Sequence, residues 1–109
     1  MNFGLKNIPQ RTVKPRTHGI TMVMDKGMGL AGTRDFLSVA SPYVDIVKLG
    51  FGTPVVTNNL REKIAIYTEL GIPVYFGGTL FEAFLVRGQF DDYLSVIKEY
   101  GLKHVEVSD

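Results

Sequence analysis

Apolar residues along the chain fall into four short runs, at residues 19–25, 44–50, 72–76 and 103–107, separated by longer stretches with helical spacing. Each run closes on charged, glycine or hydroxyl residues. Asp25-Lys26-Gly27 follows the first, Lys48-Leu49-Gly50 the second and Gly77-Gly78-Thr79 the third, and Ser108-Asp109 follows the fourth. Short apolar runs bounded by such residues predict buried strands. Between them, Thr33 is placed to cap a helix over 34–40, where Phe36, Leu37 and Ala40 share a face, and Ser41-Pro42 ends it. Asn58 or Asn59 precedes a helix over 60–70 with Leu60, Ile64, Ala65 and Tyr67 inward, stopped by Gly71. Two further helices are predicted over 80–87 and 90–100, the second with Phe90, Leu94 and Ile97 at i, i+4 and i+7.

Strands alternating with helices predict a parallel sheet, because parallel neighbours need a crossover connection. The second run is nearly continuous in apolar residues, as expected of a strand covered on both faces. Four parallel strands with the last left uncovered make an exposed edge at each side. A (βα)8 TIM barrel takes about 250 residues, and 109 residues are close to half of that. The fold class expected is therefore α/β, the first half of a (βα)8 barrel with four parallel strands over residues 18–109. Residues 1–17, broken by Pro9 and Pro15, form an extended lead-in.

Composition narrows the function. Apolar residues make up 45% of the chain, enough for a modest core. The absence of cysteine removes disulfides, thiolate nucleophiles and thiolate metal ligands. Two histidines, His18 and His104, are too scattered for a histidine metal cluster and read as surface or packing residues. No apolar run approaches the roughly 18 residues of a membrane span, and no signal-peptide core is visible, so the expected compartment is cytoplasmic with no membrane partner. Lys6, Arg11, Lys14 and Arg16 precede the first acidic residue, Asp25. Four charges with little aromatic interleaving do not make a nucleic-acid arm, and no nucleic-acid partner is expected.

The strand ends hold the candidate chemistry, because a parallel barrel builds its site at the carboxyl ends of its strands. Lys48 interrupts an apolar strand, so its ammonium must reach the rim or meet a partner. There it binds an anion or donates a proton, unless it only snorkels to solvent. Lys26 offers a second cation. Asp25, Glu106 and Asp109 are hard oxygen donors of the kind Mg²⁺ accepts in small number, or else ion-pair partners of Lys26 and Lys48. Gly77-Gly78-Thr79 before a helix offers amides and a hydroxyl to an anion, and Ser108 stands beside the acidic end. Asp45 reads as structural, paired with Arg61 or Lys63.

Taken together and in order, the stretches Gly19-Ile-Thr-Met-Val-Met-Asp-Lys-Gly, Asp45-Ile-Val-Lys-Leu-Gly-Phe-Gly-Thr, Leu60-Arg-Glu-Lys-Ile, Gly77-Gly-Thr-Leu-Phe-Glu and Val105-Glu-Val-Ser-Asp resemble the phosphosulfolactate synthase family, from about Lys14 to Asp109. The resemblance implies a (βα)8 barrel enzyme that adds sulfite to phosphoenolpyruvate with Mg²⁺, giving 2-phospho-3-sulfolactate for coenzyme M or sulfolactate synthesis. It implies that Lys26 and Lys48 bind anions or donate the proton, with Gly77, Gly78, Thr79 and Ser108 lining the substrate. It gives Asp25, Glu106 and Asp109 to the metal. It also implies that this chain is an amino-terminal piece, inactive alone. A non-catalytic heat-stress-associated relative and a half-barrel that self-associates as a homo-oligomer are the competing readings, with a generic barrel aldolase using Lys48 as a Schiff base behind them.

Overall fold

A computed structural model describes residues 3–108. Three parallel strands, β1 (Met22–Asp25), β2 (Ile46–Leu49) and β3 (Val74–Phe76), lie in the order β1-β2-β3. The helices are α1 (Leu30–Ala40), a single turn α2 (Thr53–Val56), α3 (Leu60–Thr68), α4 (Gly78–Leu85) and α5 (Phe90–Glu99). Ser41–Tyr43 adds a 3-10 turn after α1.

Register decides which side chains face which way. Val23, Val47 and Val74 form one row, and Asp25, Leu49 and Phe76 another, both on the helix side. Met24, Lys48 and Tyr75 form the row between them, on the opposite face. The helix side carries the core, where Leu37, Val47, Leu49, Ile64, Tyr67, Ile72, Val74 and Phe76 are buried together. The other face is only half-buried among the described residues. The expectation of a sheet covered on both faces holds here for one face.

Three local details, a helix start, a cap and a buried face, differ from expectation. Helix α1 starts at Leu30, ahead of Thr33, whose hydroxyl bonds back to the Gly29 carbonyl at 2.8 Å as a residue inside the first turn. Asn59 precedes α3 with a left-handed backbone (φ 60°) and no side-chain cap. The inward face of α5 is Tyr93, Val96 and Ile97, continued by Tyr100 just after the helix, while Phe90 and Leu94 stay about half exposed. Tyr93 replaces them because its ring packs against Phe81, Phe84 and Phe90.

The fourth strand is not formed. Residues 103–107 pass along β3, with His104 beside Ile72 and Pro73 below and Glu106 at Gly78 above, but make no sheet ladder. The segment is anchored by a side chain: the Glu106 carboxylate carries its bonds to Lys48 and to the Gly78 amide. Unlike β1, which is also an edge strand, this segment has its position set by a side chain rather than by backbone bonds.

The amino-terminal segment closes the opposite end of the sheet. Arg16 meets Asp45 at 2.7 Å and bonds the Thr12 and Pro42 carbonyls, while Lys14 reaches the Ser41 carbonyl at 2.7 Å. Asp45 therefore pairs with Arg16, and at 3.8 Å with Arg11, rather than with Arg61 or Lys63. The Thr21 amide on the other oxygen (2.7 Å), together with Arg16 and Lys14, holds the Asp45 carboxyl below its usual range against the opposing effect of burial. Among the described residues no helix is long and apolar enough to cross a membrane.

Candidate active site at the carboxyl ends of the strands

Lys48 stands on the open face of β2, one residue before the strand ends. Its ammonium meets Glu106 at 3.1 and 3.3 Å, with the lysine side chain 15% and the glutamate 33% exposed. The same carboxylate accepts the amide of Gly78, the first residue of α4, at 2.7 Å. A free helix amide and an ammonium thus converge on one anion, the arrangement that a helix start favours. The Gly78 amide first, and Lys48 second, hold the Glu106 carboxyl below its ordinary range.

Two glycines make this convergence possible. A Cβ at Gly77 would stand 3.3 Å from the Lys48 stem and 3.5 Å from the Gly50 backbone. A Cβ at Gly78 would collide with the Ser108 hydroxyl and lie 3.0 Å from Glu106. The Ser108 hydroxyl is buried there without a hydrogen-bond partner among the described residues, where a buried polar group ordinarily finds one. Lys48, Gly77, Gly78, Glu106 and Ser108 are therefore brought together as expected. Thr79 is exposed and makes no cap on α4, and Asp109 lies outside the described residues.

Asp25 goes elsewhere. It shares the helix-side row with Leu49 and Phe76, so its carboxylate points down into the helix layer, 1% exposed. There it accepts the Gly27 and Met28 amides at 2.8 and 3.0 Å, the Lys63 ammonium at 3.0 Å and the Tyr67 hydroxyl at 2.7 Å. Burial pushes this carboxyl up, but the bonds from Tyr67, Gly27, Lys63 and Met28 outweigh it and leave it below the usual range. Burial and the facing Asp25 push the Tyr67 phenol up. Lys63 holds the cation position at Asp25, so Asp25 does not fit a rim metal ligand. Among the described residues no three His, Cys, Asp or Glu side chains gather into a metal site.

Lys26 is exposed, with its ammonium 5.6 Å from the centre of the Phe51 ring. Phe51 itself has a left-handed backbone (φ 55°), a strained conformation for an aromatic residue, and is 64% exposed. Sequence reasoning did not single out Lys63, Tyr67 or Phe51 as members of this region. A signal for Lys63 was present: it lies three residues after Leu60 and four before Tyr67, inside the apolar stripe of α3.

Residues 9–109 match the family model for (2R)-phospho-3-sulfolactate synthase (ComA). The chain belongs to this family. It is 39% identical over 103 residues to the phosphosulfolactate synthase of Methanothermobacter thermautotrophicus, covering 93% of this chain and 40% of the relative. It is 43% identical over 93 residues to that of Methanocaldococcus jannaschii, covering 84% and 37%. Against the phosphosulfolactate synthase of Bacillus subtilis it is 36% identical over 109 residues, covering 100% and 43%. The chain thus spans about two fifths of the length of the curated synthases it matches.

Proposed function

We propose that the protein to which this chain contributes is a phosphosulfolactate synthase adding sulfite to phosphoenolpyruvate, and that this chain supplies the first strands of its (βα)8 barrel. The observation that carries the reading, beside family membership, is the meeting of Lys48, the Gly78 amide and Glu106 at the carboxyl ends of the strands. In a barrel that end holds the chemistry, and the open face bearing Met24, Lys48 and Tyr75 becomes the interior.

The reaction asks for anion binding and one proton. A sulfite sulfur lone pair forms the C–S bond to the methylene carbon, the C=C π pair moves toward the carboxylate, and a proton is added at the adjacent carbon. Lys48 is assigned to the substrate anion or to that proton, and Lys26 to a second anionic group. The Gly78 amide and the Ser108 hydroxyl, which has no partner among the described residues, are further donors at the same corner. Glu106 now neutralises this cationic corner, so an arriving anion competes with it.

Mg²⁺ belongs to the proposal with a reduced ligand set. Glu106 fits as a single carboxylate ligand, since Mg²⁺ accepts one or two carboxylates with water and substrate. Other ligands then come from outside the described residues. When bound, the ion supplies positive charge against the oxyanion developing on the substrate carboxylate.

The test is phosphoenolpyruvate consumption with sulfite and Mg²⁺, measured on the whole protein and on the 109-residue chain. Turnover is expected in the first and not in the second. A folded, Mg²⁺-loaded whole protein that leaves phosphoenolpyruvate untouched overturns the synthase reading and selects the non-catalytic relative. Among the described residues the outer edges of β1 and β3 are unpaired, which favours one second reading, two copies closing on each other; light scattering that finds only monomer removes it.

A further inference from the structure

The group around Asp25 lies outside the rim site, yet ties down the backbone of the loop that follows β1. Gly27 and Met28 donate their amides to Asp25, the Met28 carbonyl accepts the Lys63 ammonium, and the Gly29 carbonyl accepts the Thr33 amide and hydroxyl. Gly27 turns through φ 120°, a conformation open to glycine and strained for other residues. Thus three consecutive residues are held by bonds from β1, α1 and α3, and the residue immediately before them is Lys26.

Stability alone does not account for this arrangement. Replacing a buried ion pair by apolar side chains of similar volume is often neutral or favourable, so such a pair is weak evidence for stability. What an apolar cluster could not do is accept two loop amides and donate to a loop carbonyl. Lys63 and Tyr67 come from the middle and end of α3, are nearly fully buried, and touch the loop and Asp25 rather than the rim. We infer that Asp25, Lys63 and Tyr67 are positioning residues that fix the Gly27–Gly29 turn and so set where the Lys26 ammonium stands. The assignment of an anionic substrate to Lys26 rests on the proposed function; the fixing of the turn does not.

The experiment uses the whole protein with three changes: Asp25→Asn with Lys63→Met, which removes both charges together; Tyr67→Phe, which removes one hydroxyl; and Lys26→Met. Hydrogen exchange is read at the Gly27 and Met28 amides against Val47 and Val74 of the core strands. The positioning variants should speed exchange in the turn by about tenfold or more while the strands keep their protection. In the sulfite assay they should raise KM for phosphoenolpyruvate, as Lys26→Met does, with a smaller change in kcat. On the Lys26→Met background they should add little, because both changes remove the same interaction.

Unchanged exchange in the turn overturns the inference. So does a KM effect that multiplies fully with that of Lys26→Met, which is what general loosening of the fold gives. If the double variant fails to fold, Tyr67→Phe carries the same comparison. If the unaltered protein shows no turnover, the proposed function fails on its own, and the exchange arm still decides whether the turn is held as inferred.

Discussion

Lys63–Asp25 and Lys48–Glu106 are lysine–carboxylate pairs of nearly equal length, 3.0 and 3.1 Å, in opposite surroundings. The side chains of the first are 2% and 0% exposed; those of the second, 15% and 33%. The two strand residues involved, Asp25 of β1 and Lys48 of β2, stand in adjacent rows of the sheet. That single step of register sends one pair under the sheet and the other onto its open face. Contact distance therefore says little about what a pair does here. In the buried pair each charge is held by bonds from the protein alone, so it fixes geometry. In the open pair one partner comes from an irregular tail, and both side chains are reached by solvent.

The largest effect expected from this contrast is on the buried side. Lys63→Met alone leaves the Asp25 charge in the helix layer and should destabilise the fold by about 3–5 kcal/mol, read by denaturant unfolding. A loss below about 1 kcal/mol would mean that water reaches Asp25 and that the contrast is false.

Gly78→Ala tests the packing that brings the open pair together. The new methyl meets the Ser108 hydroxyl and Glu106, so a cost of about 1–3 kcal/mol is expected, with the 106–108 tail displaced. Faster exchange of the residue-78 amide checks the displacement. An unchanged amide would show that the tail has room.

Acid separates the two pairs by where stability begins to fall. The folded carboxyls of Asp25, Asp45 and Glu106 lie below their ordinary values of 3.8, 3.8 and 4.5. The folded state therefore binds fewer protons than the unfolded chain. Their contribution is complete above those values and is lost as pH falls through the lower folded ones. Stability measured against pH should be level near neutrality and decline below about 4.5. In Glu106→Gln the decline should start lower, leaving the Asp25 and Asp45 portion. An unchanged onset would show that Glu106 titrates as a free carboxyl.

The smallest effect on stability and the clearest on function belong to Lys48→Met. A partly exposed pair is worth about 0–1 kcal/mol, so unfolding should barely move. Phosphoenolpyruvate turnover by the whole protein should fall by about a hundredfold or more if Lys48 supplies the proton. Turnover within a few-fold of the unaltered protein would leave Lys48 a rim cation only.

Much of this was legible in the residues. The helix–strand alternation, the parallel order of the first three strands and the place of Lys48, Gly77 and Gly78 at a common end follow from apolar runs and their closing residues. Glu106 was legible as a carboxylate for that end, but not as the anchor of its own segment. A fourth strand is expected from the strand-like composition of residues 103–107; in the structure that segment is placed by the Glu106 side chain and forms no ladder with β3. Asp25 was misplaced because chain position shows that a residue ends a strand, not to which side it points. In a four-residue strand a shift of one position reverses that side.

What the sequence determined by itself is the local grammar: short apolar strands, helices of amphipathic period, glycines where chain and side chains crowd, and the ordered motifs that place the chain in its family. These depend on neighbours a few residues apart. Tertiary structure alone decided the partners, because a charge takes whichever opposite charge the register and helix packing bring within reach. Arg16 for Asp45, Lys63 for Asp25 and Lys48 for Glu106 come from 29, 38 and 58 residues away, and burial then decided which pair is structural and which faces the site.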